Sequence, residues 1–136
     1  MRIRRFLKSD ADTLVKILKL NRQYAYPMVE GPDSMLRVSG CSSALFLVAE
    51  EEGSPIGFIK AVYDGSRAMI NLLSVHPEFQ GKGVGSKLLD TAISRLRRRG
   101  APSISVPATE NSEGFWKKSA FDRLPVFLML KGFDKP

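Results

Sequence analysis

The segment that most constrains this chain lies just past its middle. An apolar run ending in Leu72-Leu73-Ser74-Val75 feeds the short loop His76-Pro77-Glu78-Phe79-Gln80, and glycine then recurs at every second position, Gly81, Gly83 and Gly85. Directly afterwards Val84, Leu88, Leu89, Ala92, Ile93 and Leu96 fall on one side at helical spacing. A helix over 83–99 follows, with Gly100 as the stop that tolerates a left-handed backbone. Strand, glycine loop and helix in that order make a cradle for an anion. Glycine lets the backbone approach closely and accepts positive φ. The unsatisfied N–H groups at the helix start, backed by the macrodipole, point at the negative charge. Lys82 and Lys87 supply counter-charge.

Two familiar phosphate loops do not fit. A P-loop needs glycine directly before Lys-Ser/Thr, whereas Lys87 is preceded by Ser86 and followed by Leu88. A dinucleotide fingerprint needs glycine or alanine at position 86, a loop abutting the strand, and an acid near 103–105; none of these is present.

The rest of the chain reads as one domain over 1–136, long enough to bury a core. A strand is expected over 1–6, then a helix over 11–20 capped by Ser9 or Asp10, a loop over 24–33 and a short helix over 34–38. Strands follow over 44–51, 56–63 and 68–75, separated by Gly53-Ser54-Pro55 and Asp64-Gly65-Ser66. After the long helix come a strand over 102–106, a helix over 111–119 and a last strand over 126–131. The longest apolar stretch, 44–49, is too short to span a bilayer, and the basic N-terminus lacks an apolar signal core. No membrane association is expected, and a cytoplasmic location is the default. The single cysteine, Cys41, reads as structural and agrees with a reducing compartment. A net charge of +7 draws anions without choosing among nucleic acid, a phosphorylated cofactor and an acidic protein.

The eleven residues Val75 to Gly85 match, at every constrained position, the signature V-x-P-x-x-[Q/R]-x-x-G-x-[G/A], and so the chain resembles the GNAT superfamily of N-acetyltransferases. The order of elements resembles the whole GNAT fold, and Asn111 to Phe121 resembles the second motif, N-x-x-A-x-x-F-Y-x-x-x-G-F. The resemblance implies an α/β (α+β) architecture: a mixed, mostly antiparallel sheet flanked by helices and splayed at the fourth strand. It implies acetyl-CoA as cosubstrate. Pantetheine lies in the splay as an added strand against backbone groups of Leu73, Ser74 and Val75. The pyrophosphate sits over Gly81, Lys82, Gly83, Val84, Gly85 and Ser86, with Lys87 nearby and Gln80 shaping the loop. A neutral amine attacks the thioester directly, and the Val75 N–H stabilises the carbonyl oxygen.

This sequence departs from the pattern at two places. Trp116 occupies the tyrosine position that protonates the leaving thiolate in relatives, and Ala120 replaces a glycine. An indole N–H donates hydrogen bonds but is no acid near neutral pH, so Trp116 is expected as a wall beside pantetheine. The family's asparagine aligns with Thr109, with Asn111 two positions on and preferred as the cofactor contact. No general base stands out among Asp64, Glu78, Glu110 and Glu113. His76 reads as loop-shaping, and Tyr24 and Tyr26 as shapers of the acceptor site. No metal site is expected. The acceptor is an amine on a small molecule or a protein, and a homodimer is left open. Two rival readings remain: a CoA-binding module with weak catalysis, and a basic protein associated with nucleic acid through Arg95, Arg97, Arg98 and Arg99. That arginine run ends a helix, where cations offset the macrodipole, so nucleic acid is set aside.

Overall fold

The computed structural model describes residues 1–133. Its strands β1 (Arg2–Arg5), β2 (Ala44–Glu51), β3 (Ser54–Tyr63), β4 (Ala68–Val75) and β5 (Ile104–Ser105) form one sheet in chain order. The β1–β4 neighbours are antiparallel and β4–β5 is parallel. Glu52 and Gly53 both take positive φ, the geometry of a two-residue hairpin turn. Pro55 therefore belongs to β3 rather than to the turn. It sits beside an irregularity in register at Ala49/Glu50, which accommodates a residue without an N–H.

Helices cover both faces. Helix α4 (Val84–Arg99) lies on the face carrying Leu45, Leu47, Ile59 and Ile70, and buries Val84, Leu88, Leu89, Ala92 and Leu96. Each large aliphatic side chain withdrawn this way contributes about 1.5–3 kcal/mol. Helices α1 (Ala11–Leu20) and α3 (Pro32–Ser39) cover the other face with Leu14, Ile17, Leu18 and Met35 against Phe46, Val48 and Phe58. A central strand covered on both sides needs continuous apolar sequence, which is why β2 lacks alternation.

Several expectations need correction. The loop over 24–33 contains a helical turn, α2 (Pro27–Glu30), started by proline at its first position. Asp10 precedes α1 but does not cap it. Its carboxylate accepts the Leu7 N–H at 2.7 Å and two Arg4 guanidinium N–H groups at 2.8 and 2.9 Å. Arg4 also reaches Glu50, so one nearly buried cation ties β1, β2 and the start of α1. The hydrogen bond that Arg4 donates to Asp10 raises the Arg4 pKa against the opposing cost of burial. Helix α5 (Glu113–Lys118) is shorter than expected, its entry at 110–112 being a 3-10 turn. The last strand, over 126–131, is absent. Residues 126–130 are 74–91% exposed and join no ladder. Apolar sequence gives strand propensity, but a strand also needs an edge to pair with, and β5 is only two residues long.

Candidate functional site

Strand β4 has two halves. At its start, Ala68 and Met69 pair with Ile104 and Ser105 of β5 on one side and with β3 on the other. The register against β3 then shifts between Lys60 and Ala61, leaving Asn71 as the extra residue of a bulge. Past the bulge β5 is gone and β4 continues to Val75 paired with β3 only. The His76 N–H donates to the opposed Ile56 carbonyl at 2.8 Å. Because hydrogen-bonded and non-bonded pairs alternate along an antiparallel ladder, Ser74 faces its backbone to β3, whereas Leu73 and Val75 turn theirs outward into the splay. Ser74 thus differs from its two neighbours. Its buried hydroxyl lies on the other face and accepts the Asn21 amide at 2.8 Å.

The glycine loop starts at the end of that strand. Pro77–Phe79 make a 3-10 turn whose Glu78 N–H is accepted by His76 Nδ1 at 3.1 Å. Gly81 and Gly83 hold φ of 75° and 85°, which side chains strongly disfavour, and a Cβ on either would meet nothing within 4 Å. Lys87 is the first residue whose N–H closes the helix, onto the Gly83 carbonyl at 3.1 Å. The N–H groups of Val84, Gly85 and Ser86 therefore have no carbonyl a turn earlier to receive them. Gly85 faces the Phe115 ring and Val75, leaving a Cβ room only at van der Waals contact, 3.5–3.7 Å. Lys82 and Lys87 are exposed beside the loop, Lys82 over the Phe79 ring at 5.6 Å.

Gln80 is the fastening. Its Nε2 donates to the Val75 carbonyl at 2.9 Å and to Asn21 Oδ1 at 3.1 Å, and Asn21 Nδ2 donates to the same carbonyl at 2.8 Å. Loop, strand end and α1 are locked by two amides. Gln23 adds a bond from its Nε2 to the Leu73 carbonyl at 3.3 Å, while its Oε1 is buried without a partner. Asn21 and Gln23 did not stand out in the sequence, since polar residues after a helix ordinarily read as its end. Phe115, beside Gly85, carries no mark in the sequence beyond its place in the second motif.

Past β5 the expected residues separate. Trp116 is buried in an edge-to-face trio with Phe115 and Phe121, at centroid distances of 5.0 and 5.4 Å. Its indole N–H is already donated to Ser112 at 3.2 Å. Thr109 and Asn111, the two candidates for one role, hydrogen-bond to each other through Thr109 Oγ1 and Asn111 Oδ1. Of the carboxylates, Glu113 pairs with Lys117 and Arg123. Asp64 accepts the N–H groups of Arg67 and Ser66, and those bonds, the Arg67 one foremost, lower its pKa below the usual carboxylate value. Lys60, on the α1 and α3 face, is 7% exposed, and burial lowers its pKa against the pull of Glu30. Tyr26 is exposed and Tyr24 half-buried under Lys19. Cys41 is exposed rather than buried, its thiol against the Arg37 carbonyl.

Comparison with known proteins agrees with this layout. Residues 12–121 match the model of the Acetyltransferase (GNAT) family. Among solved structures, Ard1 from Thermoplasma volcanium is 29% identical with a TM-score of 0.76, covering 89% of this chain and 82% of its own. The PaiA N-acetyltransferase from Thermoplasma acidophilum, solved in complex with coenzyme A, is 21% identical with a TM-score of 0.75 over 88% and 86%. Glucosamine-6-phosphate N-acetyltransferase from Arabidopsis thaliana is 18% identical with a TM-score of 0.76 over 98% of both chains. A bulged fourth strand parting from the fifth, and a glycine loop opening the helix beside that gap, are what the matched signature leads one to expect. The chain belongs to the GNAT acetyltransferase family, enzymes whose cosubstrate is acetyl-CoA.

Proposed function

We propose that the chain is a single N-acetyltransferase domain that transfers acetyl from acetyl-CoA to a primary amine. One observation carries this reading: the outward backbone of Leu73 and Val75 runs directly into the unsatisfied N–H groups at the start of α4. Pantetheine then bonds as an added strand to the N–H groups of Leu73 and Val75, whose carbonyls are held by Gln23, Asn21 and Gln80, with Ser74 holding the strand in place through Asn21. The diphosphate rests on Gly81, Lys82, Gly83, Val84, Gly85 and Ser86, with Lys87 as counter-charge. Gln80 fixes the loop. In the transfer, the neutral amine forms a bond to the carbonyl carbon, charge gathers on oxygen opposite the Val75 N–H, and the C–S bond breaks to release thiolate. The amine's surplus proton leaves to water or to the thiolate. Trp116 has given its N–H to Ser112, so it serves as an apolar wall, and Asn111 with Thr109 lines the far side of the splay.

The acceptor is an amine of a small molecule, a lysine or a protein N-terminus; a relative of this fold is named for an amino sugar phosphate. Acetyl-CoA turnover against a panel of such amines, followed by free thiol released, tests the reading. Acceptor-dependent release is expected. Coenzyme A binding without release to any amine would favour the rival, a binding module that does not catalyse.

Two further expectations belong with this proposal. No helix among the described residues is long and apolar enough to cross a membrane, and a cytoplasmic location suits the lone thiol. A homodimer is supported by the exposed apolar residues 126–130 and the open outer edge of β5, an apolar segment and a sheet edge that two copies of one chain can exchange. Light scattering should give twice the chain mass, and Leu128→Asp should halve it. A monomer at the highest soluble concentration would contradict the pairing.

A further inference from the structure

At the end of α4 away from the glycine loop, Arg95 and Arg99 lie one turn apart and face a cavity of about 240 Å³. Arg5, from the end of β1, lines the same cavity, with Ser39, Ser42 and Val38 around the last turn of α3 and Phe6, Leu45 and Phe46 beneath. Three arginines thus line one cavity from elements far apart in sequence. No carboxylate lines the cavity, and none of the three arginines forms an ion pair with a described residue. Arg99 spends one N–H on the Ala44 carbonyl at 3.2 Å, which orients it.

The C-terminal ends of α3 and α4 border the cavity, through Val38 and Ser39 and through Arg95 and Arg99, and each helix terminus carries roughly half a negative charge. Together they offset about one of the three cations and leave a surplus near two positive charges. Arg97 and Arg98 suffice to offset the end of α4, and they sit elsewhere, on an open depression shared with Asp90. The surplus in the cavity matches a phosphate group, which carries about −1.5 to −2 near neutral pH and accepts the fork geometry of arginine. The volume falls just below the range of about 300–1,000 Å³ typical of drug-sized ligands and exceeds the needs of a bare ion.

We infer that this cavity is a second ligand site, taking a small phosphate monoester whose body rests on Val38 and Phe6 while Arg5, Arg95 and Arg99 hold the phosphate. The site is independent of the cofactor assignment, because it shares no residue with the glycine loop. Phenyl phosphate and inorganic phosphate are the probes, titrated at constant ionic strength while the arginine Nε–H and backbone amide resonances are followed. Phenyl phosphate should shift Arg5, Arg95 and Arg99 saturably, several-fold tighter than inorganic phosphate, and leave Arg97 and Arg98 in place. Arg95→Ala should weaken it about ten-fold, whereas Arg97→Ala should not. Equal, unsaturated shifts at all five arginines would overturn the proposal, as would equal affinity for the two probes or shifts confined to the amides of 81–86. So would duplex DNA binding lost equally in Arg95→Ala and Arg97→Ala, which would make the run a nucleic-acid surface.

Discussion

The two ends of α4 solve one problem in opposite ways. At its start the positive field comes from the backbone: unsatisfied N–H groups behind two left-handed glycines. At its end the backbone field is negative, and side-chain cations must overcome it before an anion is welcome. A backbone site is fixed by geometry and tolerates few substitutions. A side-chain site is built from separable charges and should weaken one arginine at a time.

The largest expected effect falls on the backbone end. Gly83→Asp should weaken coenzyme A binding by roughly 100-fold or more, since the left-handed φ alone costs an L-residue about 1–2 kcal/mol and the carboxylate then faces phosphate. Calorimetry on the variant checks this, with circular dichroism to verify folding. Unchanged affinity would mean that the loop is not the cradle.

Fastening comes next. Asn21→Ala removes donors to Val75 and Ser74 and the acceptor for Gln80. With each bond worth about 0.5–1.5 kcal/mol, kcat/KM for acetyl-CoA should fall about ten-fold. A Tm change without a kinetic one would reduce Asn21 to a structural tie.

Trp116→Phe sharpens the roles on the far side of the splay. It retains an aromatic in the Phe115 and Phe121 trio and loses only the bond to Ser112. Activity should stay within about five-fold, the factor that corresponds to the roughly 1 kcal/mol that one neutral hydrogen bond is worth. A loss near a thousand-fold would restore Trp116 as a proton donor.

The smallest effect is one of pH. Burial lowers the Lys60 pKa, so the folded state binds fewer protons than the unfolded chain between that lowered pKa and 10.5. Stability therefore rises with pH across that window, and below it the full cost of the buried cation is present. Lys60→Met should raise Tm by a few degrees near neutral pH, with the gain shrinking as pH approaches 10.5. A gain independent of pH would assign it to packing instead.

The same contrast explains what the sequence made legible. Gly81, Gly83 and Gly85 announce themselves because positive φ and close approach leave evolution few residue choices, and the long helix is written in its apolar period. The splay follows from the family resemblance, but the bulge at Asn71 carries no residue-type mark. Asn21 and Gln80 meet across 59 positions, and Arg5 of the edge strand β1 lines one cavity with Arg95 of α4. Such meetings depend on topology rather than local pattern. Residues 126–131 mislead for the complementary reason: their apolar character is visible, but whether they join a ladder depends on the fold, and here they join none.

The most direct test is a coenzyme A titration read at the backbone amides. The largest shifts should appear at Gly81 and at Gly83 to Ser86, with smaller ones at Leu73 and Val75, and pantetheine should move only the latter pair. Binding that leaves 81–86 silent, or pantetheine as tight as coenzyme A, would contradict the claim that the helix start grips the diphosphate.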